Sequence, residues 1–423
     1  MKNVTYIGTR DKNIRYKASE AILKGICPDG GLFIPEEMPV MEKSIEELAE
    51  MDYRNLAYEV MSLFFTDFTE DELRYCINNA YDSKFDTDKI APVVEKDGVY
   101  FLELFHGKTI AFKDMALSIL PYLMKTSAKK NNIDKEIVIL TATSGDTGKA
   151  ALEGFADVEG TRIIVFYPDG GVSPVQRMQM VTQKGKNVCV AAITGNFDDA
   201  QSAVKSIFTD AEMIKELDDK GFMFSSANSI NIGRLIPQVA YYWYAYCQLV
   251  KDGKIKVGDK INFTVPTGNF GNILAGYFAK KMGLPVNKFV CASNSNKVLY
   301  DFFKTGTYDK NREFILTTSP SMDILISSNL ERLVCMLTSQ EETAKLMKSL
   351  AEKGEYSMTA KADDIVGEYA DEEETATAIR TMYTNADYVL DTHTAVAYAA
   401  YNKYIKESGD TTPTVIVSTA SPY

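Results

Sequence analysis

Beyond about Ala91 the chain alternates short β-branched runs with longer stretches of helical periodicity. Apolar runs over residues 137–141, 162–167, 187–193, 261–265, 288–292 and 414–418 have the length of strands, and the intervals between them leave room for helices. The alternation predicts a mostly parallel sheet wrapped by helices. The opening segment reads differently. Two acidic helical stretches, 44–51 and 52–65, follow the turn-rich Cys27-Pro28-Asp29-Gly30-Gly31-Leu32-Phe33-Ile34-Pro35. A separate, helical amino-terminal domain is therefore expected over 1–90, followed by an α/β region over 91–423. Residues 341–374, charged and alanine-containing, read as a solvated helical layer without a site.

In open α/β sheets ligands bind beyond the carboxyl ends of strands, and there the chain places unusual chemistry. Asp114 as the N-cap of a helix over 115–125 would set Lys113, beside Ala111 and Phe112, against that helix's positive end. Burial and positive potential both disfavour ammonium, which turns a lysine into a nucleophile able to hold an aldehyde as an imine. After Thr141 comes Ala142-Thr143-Ser144-Gly145-Asp146-Thr147-Gly148-Lys149-Ala150, a hydroxyl-rich turn whose exposed amides at a helix start suit a carboxylate or phosphate. A nucleotide P-loop would need glycine at Thr143 and a hydroxyl at Ala150, so that reading fails.

After Val265, the turn Pro266-Thr267-Gly268-Asn269-Phe270-Gly271-Asn272 opens a helix over 273–281, and its two glycines let backbone amides converge on an anion. The related Thr194-Gly195-Asn196-Phe197-Asp198-Asp199 carries two aspartates instead and reads as a turn and helix cap. The stretch Ser225-Ser226-Ala227-Asn228-Ser229-Ile230-Asn231-Ile232-Gly233-Arg234 offers amide, hydroxyl and guanidinium groups that can clamp an oxyanion. It leads into a helix over 235–250 whose Tyr241, Tyr242, Trp243, Tyr244 and Tyr246 read as packing. The last strand is followed by Ser418-Thr419, where a hydroxyl can meet the far edge of a planar cofactor.

Composition narrows the classes. With 423 residues, 45% hydrophobic and 25% charged, the chain can bury a large core. Its net charge of −12 carries no lysine and arginine stripe, which speaks against a nucleic-acid or acidic-membrane partner. No run approaches about 20 apolar residues and the start has no apolar signal core, so a cytoplasmic protein is expected. Cys27, Cys76, Cys189, Cys247, Cys291 and Cys335 form no C-x-x-C pair and lie mostly in apolar surroundings such as Val188-Cys189-Val190, which predicts buried thiols. His106 and His393 are the two histidines and have no clustered ligands beside them, so no metal site is expected.

In family order, Thr9-Arg10, residues 28–35, Leu104-Phe105-His106-Gly107 with Ala111-Phe112-Lys113-Asp114, Thr143-Ser144-Gly145-Asp146-Thr147-Gly148, Asn228-Ser229-Ile230-Asn231 and Gly268-Asn269-Phe270-Gly271-Asn272 together resemble the bacterial and fungal branch of the threonine synthase family. The resemblance implies a fold-type II, tryptophan synthase β-like architecture: two open, mostly parallel sheet subdomains, the smaller over about 114–225, plus the helical amino-terminal domain. It implies pyridoxal 5'-phosphate, with Lys113 forming the imine. Gly268, Asn269, Phe270, Gly271 and Asn272 would hold the cofactor phosphate through backbone amides. Thr419 would face the pyridine nitrogen, where a hydroxyl stabilises a neutral ring.

By the same resemblance Thr143, Ser144, Thr147, Asn228, Ser229 and Arg234 would bind the substrate's carboxylate and phosphate. Asp146 stands where many fold-type II relatives carry an asparagine that contacts the cofactor's phenolic oxygen, so the partner of that oxygen is open. The implied reaction converts O-phosphohomoserine and water to threonine and phosphate, in a monomer or homodimer. Competing expectations are another fold-type II lyase such as a serine or threonine dehydratase, opposed by Arg234 and the amino-terminal domain, and a non-catalytic ligand-binding homologue, opposed by Lys113.

Overall fold

The β-branched runs pair into two sheets in the computed structural model, which describes residues 3–143, 145–172, 174–195 and 197–423. Val188–Ile193, Thr161–Pro168, Glu136–Ala142 and Phe222–Ser225 lie side by side in that order, all parallel. The second sheet runs Ile365–Tyr369, Val286–Ser293, Ile261–Pro266, Thr414–Ser418, Val99–Glu103, Val93–Lys96. Its first five strands are parallel and Val93–Lys96 is antiparallel. Ile261–Pro266 and Thr414–Ser418 are buried at every residue, the consequence of helices covering both faces of a parallel sheet. All six strands expected from the apolar runs form, with ends within two residues of those expected. No helix of the described residues is long and apolar enough to cross a membrane.

Where the fold departs from the sequence reading, the reasons are local. Ile365–Tyr369 falls inside the stretch expected as a helical layer. It lies between the charged helices Gln340–Lys353 and Glu372–Ala386, whose composition masks a five-residue strand at the sheet edge. The amino-terminal segment has the helices Ala18–Lys24, Ile45–Ala49, Tyr53–Ser62 and Glu70–Ala80, the last three started by the capping side chains of Ser44, Asp52 and Thr69. It also contains an antiparallel sheet with Tyr6–Gly8 between Arg15–Tyr16 and Phe33–Pro35, strands too short to show periodicity.

The helix expected over 115–125 is broken into Asp114–Leu117 and Leu120–Lys130. Pro121 has no N–H for the Leu117 carbonyl, and that carbonyl abuts the neighbouring helix, where a Cβ on Gly154 would stand 2.3 Å from it. Five cysteines are buried, but Cys189 is exposed because its strand is the outer edge of the four-stranded sheet.

The aromatic helix Pro237–Lys251 is buried along nearly its whole length and packs on Tyr53–Ser62 and on Gly271–Lys281. Tyr53 meets Tyr81 and Tyr244 edge-on at 5.1 and 5.2 Å, so the amino-terminal segment shares the main core. A polar lock adds register to this apolar contact. On the helix Leu330–Leu337, Glu331 accepts from Thr9 Oγ1 at 2.6 Å and from Arg10 Nε and Nη2 at 2.8 and 2.7 Å. The adjacent Arg332 is fully buried, and it donates to the Phe33 carbonyl at 2.7 Å, to Asn329 Oδ1 and to the Ile230 carbonyl.

Removing Glu331 strands Arg10 and Thr9 at a half-buried contact, so Glu331→Ala should lower the unfolding free energy by roughly 2–3 kcal/mol. Urea unfolding of the single and double variants with Arg10→Ala checks this. A coupling below about 0.5 kcal/mol would reduce the lock to an ordinary surface pair.

Candidate active site

The turn that carries Lys113 is closed by its own neighbour. Asp114 accepts from Thr109 N and Thr109 Oγ1 at 2.7 and 2.6 Å, so its carboxylate is turned back into the loop and does not cap the following helix. Burial raises the Asp114 carboxyl to about 6 against the pull of those two bonds. Beyond the loop, Phe112 N donates to the Thr419 carbonyl at 2.8 Å and Ser421 N to the Ile110 carbonyl at 2.9 Å. The chain's last strand and the lysine turn are thereby stitched together. Lys113 and Thr419, 306 positions apart by number, become neighbours, and Thr419 is buried.

The Lys113 side chain is 13% exposed. Its Nζ lies 3.3 Å from Ser321 Oγ and 3.5 Å from Asp146 Oδ2. Burial lowers the lysine pKa; Asp146 opposes that shift, and Arg234 and Lys149 add to it. The helix start contributes less than expected, since the helix there is a four-residue piece. Asp146 is the counterweight. Burial alone would raise its pKa, but Lys113, Lys149, the Ser321 hydroxyl and His393 outweigh that and hold it well below the usual carboxylate range. Gln176 Nε2 donates to its other oxygen at 2.8 Å, and Lys149 Nζ stands 3.6 Å from the same atom.

The glycine turn after Ile261–Pro266 approaches from the large sheet. A Cβ on Gly268 would stand 2.5 Å from the Ser321 carbonyl, so only glycine allows the two loops to meet. Ser327 Oγ donates to the Gly268 carbonyl at 2.7 Å, and Asn329 N and Nδ2 donate to the Asn269 carbonyl at 3.1 and 2.9 Å. With those carbonyls held from behind and Phe270 in the left-handed region at φ 63°, the amides of Gly271 and Asn272 begin the helix Gly271–Lys281. Such a start favours an anion. The Asn272 side chain turns into the core, where its Oδ1 accepts both the Tyr241 and Tyr242 hydroxyls at 2.6 and 2.7 Å. Its Nδ2 is buried without a partner among the described residues.

The substrate-binding candidates are placed less evenly. Thr143 spends its hydroxyl on its own turn, donating to the Gly145 carbonyl at 3.2 Å and accepting from Gly145 N and Gly148 N at 3.0 and 2.9 Å. Ser144 lies outside the described residues, as does Asn196 of the aspartate-bearing turn. Thr147 is half-buried on the first turn of Asp146–Phe155, Ser229 is half-buried and Asn228 is exposed. Asn231 is structural: it donates to the Ile22 carbonyl at 2.9 Å and caps Ile232–Leu235. Arg234 differs from all of these. It is 3% exposed, it donates from Nη1 to the Ala227 carbonyl at 3.1 Å, and its Nε has no partner among the described residues. Burial draws its pKa down to about 10, so it stays cationic at neutral pH, and no carboxylate pairs with it among the described residues. A buried cation without a counter-ion is a site for an anionic ligand.

A family model described as the threonine synthase N terminus matches residues 5–81, and one described as pyridoxal-phosphate dependent enzyme matches residues 86–420. The threonine synthase of Schizosaccharomyces pombe is 37% identical over 457 residues, which span 99% of this chain and 87% of that protein. The chain belongs to the threonine synthase family. A crystal structure of PLP-bound threonine synthase from Brucella melitensis superposes with a TM-score of 0.91 at 35% identity, covering 99% of this chain and 89% of that one. The yeast threonine synthase crystal structure gives 0.91 at 34% identity, covering 99% and 87%. The architecture is accordingly that of a fold-type II enzyme, with a helical amino-terminal segment against mostly parallel sheets.

The cofactor is pyridoxal 5'-phosphate. The residues fit it: a buried amine held toward neutrality, a helix start behind Gly268 whose carbonyls are already bonded, and a buried strand-end hydroxyl at Thr419. Sequence reasoning missed Ser321, Gln176 and His393, and it had no partner for Asp146. His393 carried a signal as one of two histidines, but no local spacing tied it to the lysine.

His106 bears on the same turn. Its Nδ1 lies 2.6 Å from Asp86 Oδ1 and its Nε2 3.0 Å from Glu103 Oε2, an arrangement that needs both nitrogens protonated. Burial lowers its pKa, but the bonds to Glu103 and Asp86 prevail and raise it overall. Because the folded value stands above the unfolded one, near 6.5, the stabilisation is complete below that pH and disappears as the pH climbs through the folded value. The stability gap between the parent and His106→Gln should therefore be widest near pH 6 and narrow toward pH 9 in urea titrations. A gap that stays constant across that range would contradict it.

Proposed function

We propose that the chain converts O-phosphohomoserine and water to threonine and phosphate. The observation that supports this reading is a helix start at Gly271 suited to the cofactor phosphate together with a buried Arg234, which no carboxylate pairs among the described residues, suited to the substrate. A single-phosphate lyase has use for the first alone. In this reading Lys113 holds the cofactor aldehyde, Gly268, Asn269, Phe270, Gly271 and Asn272 take its phosphate through their amides, and Thr419 faces the pyridine nitrogen. Arg234, with Thr147, Asn228 and Ser229, binds the substrate's carboxylate and phosphate, while Thr143 shapes the turn that presents them.

When bound, pyridoxal phosphate supplies a conjugated ring that accepts negative charge developing on substrate carbon. The protein supplies the proton transfers and the exclusion of water. Lys113 Nζ, once released from the aldehyde, takes the proton from the substrate's α-carbon and serves the adjacent β-carbon, a role open only to an amine that is neutral near working pH. Asp146 balances the positive charge that Lys113 carries after each transfer. Arg234 and the neighbouring amides stabilise the phosphate departing from the γ-carbon, and water then adds at the β-carbon while the γ-carbon gains a proton and ends as the methyl group. The protein's overall negative charge makes these local cations necessary.

Purified protein should be yellow and should release phosphate and threonine together from O-phosphohomoserine. Lys113→Ala should lose the visible band and at least about 10³-fold in turnover. Arg234→Ala should keep the band while the KM for O-phosphohomoserine rises about tenfold or more. A Lys113→Ala protein that keeps both colour and turnover removes the assignment of the lysine, and an Arg234→Ala protein that emerges without cofactor moves Arg234 to the cofactor site.

A further inference from the structure

We propose that Ser321 is a further catalytic residue, whose hydroxyl joins Asp146 to the Lys113 amine and so governs how readily that amine gains and loses protons. The proposal rests on the reading of Lys113 as the lysine that carries cofactor and protons. Ser321 lies in the short turn Pro320–Met322. Its Oγ donates to Asp146 Oδ2 at 2.5 Å. A serine hydroxyl has one proton, so with that proton given to the carboxylate its oxygen can only accept from Lys113 Nζ, at 3.3 Å.

The lengths decide which effect of the hydroxyl dominates. The bond to Asp146 has the length of a charge-assisted O–H to carboxylate contact, among the stronger hydrogen bonds. The two contacts of Nζ, at 3.3 and 3.5 Å, are long and correspondingly weak. Ser321 therefore absorbs part of the Asp146 carboxylate charge that favours ammonium at Lys113. Facing that ammonium from the other elements are Lys149 on the helix Asp146–Phe155 and Arg234 on Ile232–Leu235, while Asp114 is turned away onto Thr109. His393, on Thr392–Ser408, accepts from the Ser321 backbone and favours the ionised form of Asp146. Without the hydroxyl, the balance at Nζ moves toward the charged form.

The hydroxyl has no part in holding its own turn. Met322 N donates to the Ser319 carbonyl at 3.0 Å, and Ser321 N donates to His393 Nε2 at 3.2 Å. An imidazole that accepts at Nε2 carries its proton on Nδ1, which lies 3.0 Å from Asp391 Oδ1. Asp391 and His393 are thus positioning residues for the Ser321 backbone. Both side-chain contacts of Ser321 go to the titratable pair.

The test uses the full chain stripped of cofactor and mixed with pyridoxal 5'-phosphate, following the rate at which the visible imine band forms between about pH 6 and 10. This profile titrates the Lys113 amine. Ser321→Ala should move its midpoint about one unit to higher pH, making band formation several-fold slower near pH 8, and Ser321→Thr should return it toward the parent. A Ser321→Ala profile that overlies the parent, even at a lower rate throughout, or that shifts to lower pH, overturns the proposal, as does a threonine variant that behaves like alanine. Lys113→Ala separates the two readings: if it still forms the band, the lysine assignment has failed, whereas a Lys113→Ala protein with no band and an unshifted Ser321→Ala profile defeats Ser321 alone.

Discussion

An amine buried beside two other cations and held by one carboxylate is the constraint on which this site depends. Desolvation pushes Lys113 toward neutrality, Arg234 and Lys149 push the same way, and Asp146 pulls back from 3.5 Å. In the proposed reaction, a lysine left to desolvation alone would resist the positive charge it carries after taking a proton. One paired closely with a free carboxylate would stay charged. The arrangement in which Asp146 shares itself between Lys113, Lys149, Gln176 and Ser321 lies between these extremes.

Holding that balance requires segments from across the chain to meet within a few ångströms. The lysine turn is fastened to the last strand, Asp146 starts a helix on the four-stranded sheet, and the glycine turn and Ser321 come from the six-stranded side. Arg332 ties several of these pieces with one guanidinium. It grips Phe33 of the amino-terminal segment, the Ile230 carbonyl just before Arg234, and Asn329, which in turn holds the glycine turn. Burial lowers its pKa to about 10 and leaves it charged at neutral pH, so each of its carbonyl partners is needed to offset desolvation. The amino-terminal segment is therefore joined both to the apolar core and to the polar frame behind the site.

Lys113, the glycine turn and Arg234 were legible because each carries its chemistry in a short window: an apolar run before a lysine, two glycines at a helix start, an arginine after clustered amides. Thr143 was legible as part of a site, but its role was not, because its hydroxyl is committed within a five-residue turn. Asp114 misled for a related reason. It stands where an N-cap belongs, yet its carboxylate takes the two donors of Thr109, five residues earlier, instead. The edge strand Ile365–Tyr369 was hidden by charged neighbours, and Cys189 by apolar ones.

Periodicity and short motifs sufficed for the order of strands and helices along the chain and the parallel architecture, and they singled out the lysine and the glycine turn, since hydrophobic spacing and turn chemistry are local properties. Ser321 lies 208 positions from Lys113, and His393 a further 72 from Ser321, with nothing in either neighbourhood to announce a shared task. Their meeting is a product of strand order and loop closure. Which protonation state the lysine favours depends on how many charges surround it and how little water reaches it, and both are set by packing in three dimensions.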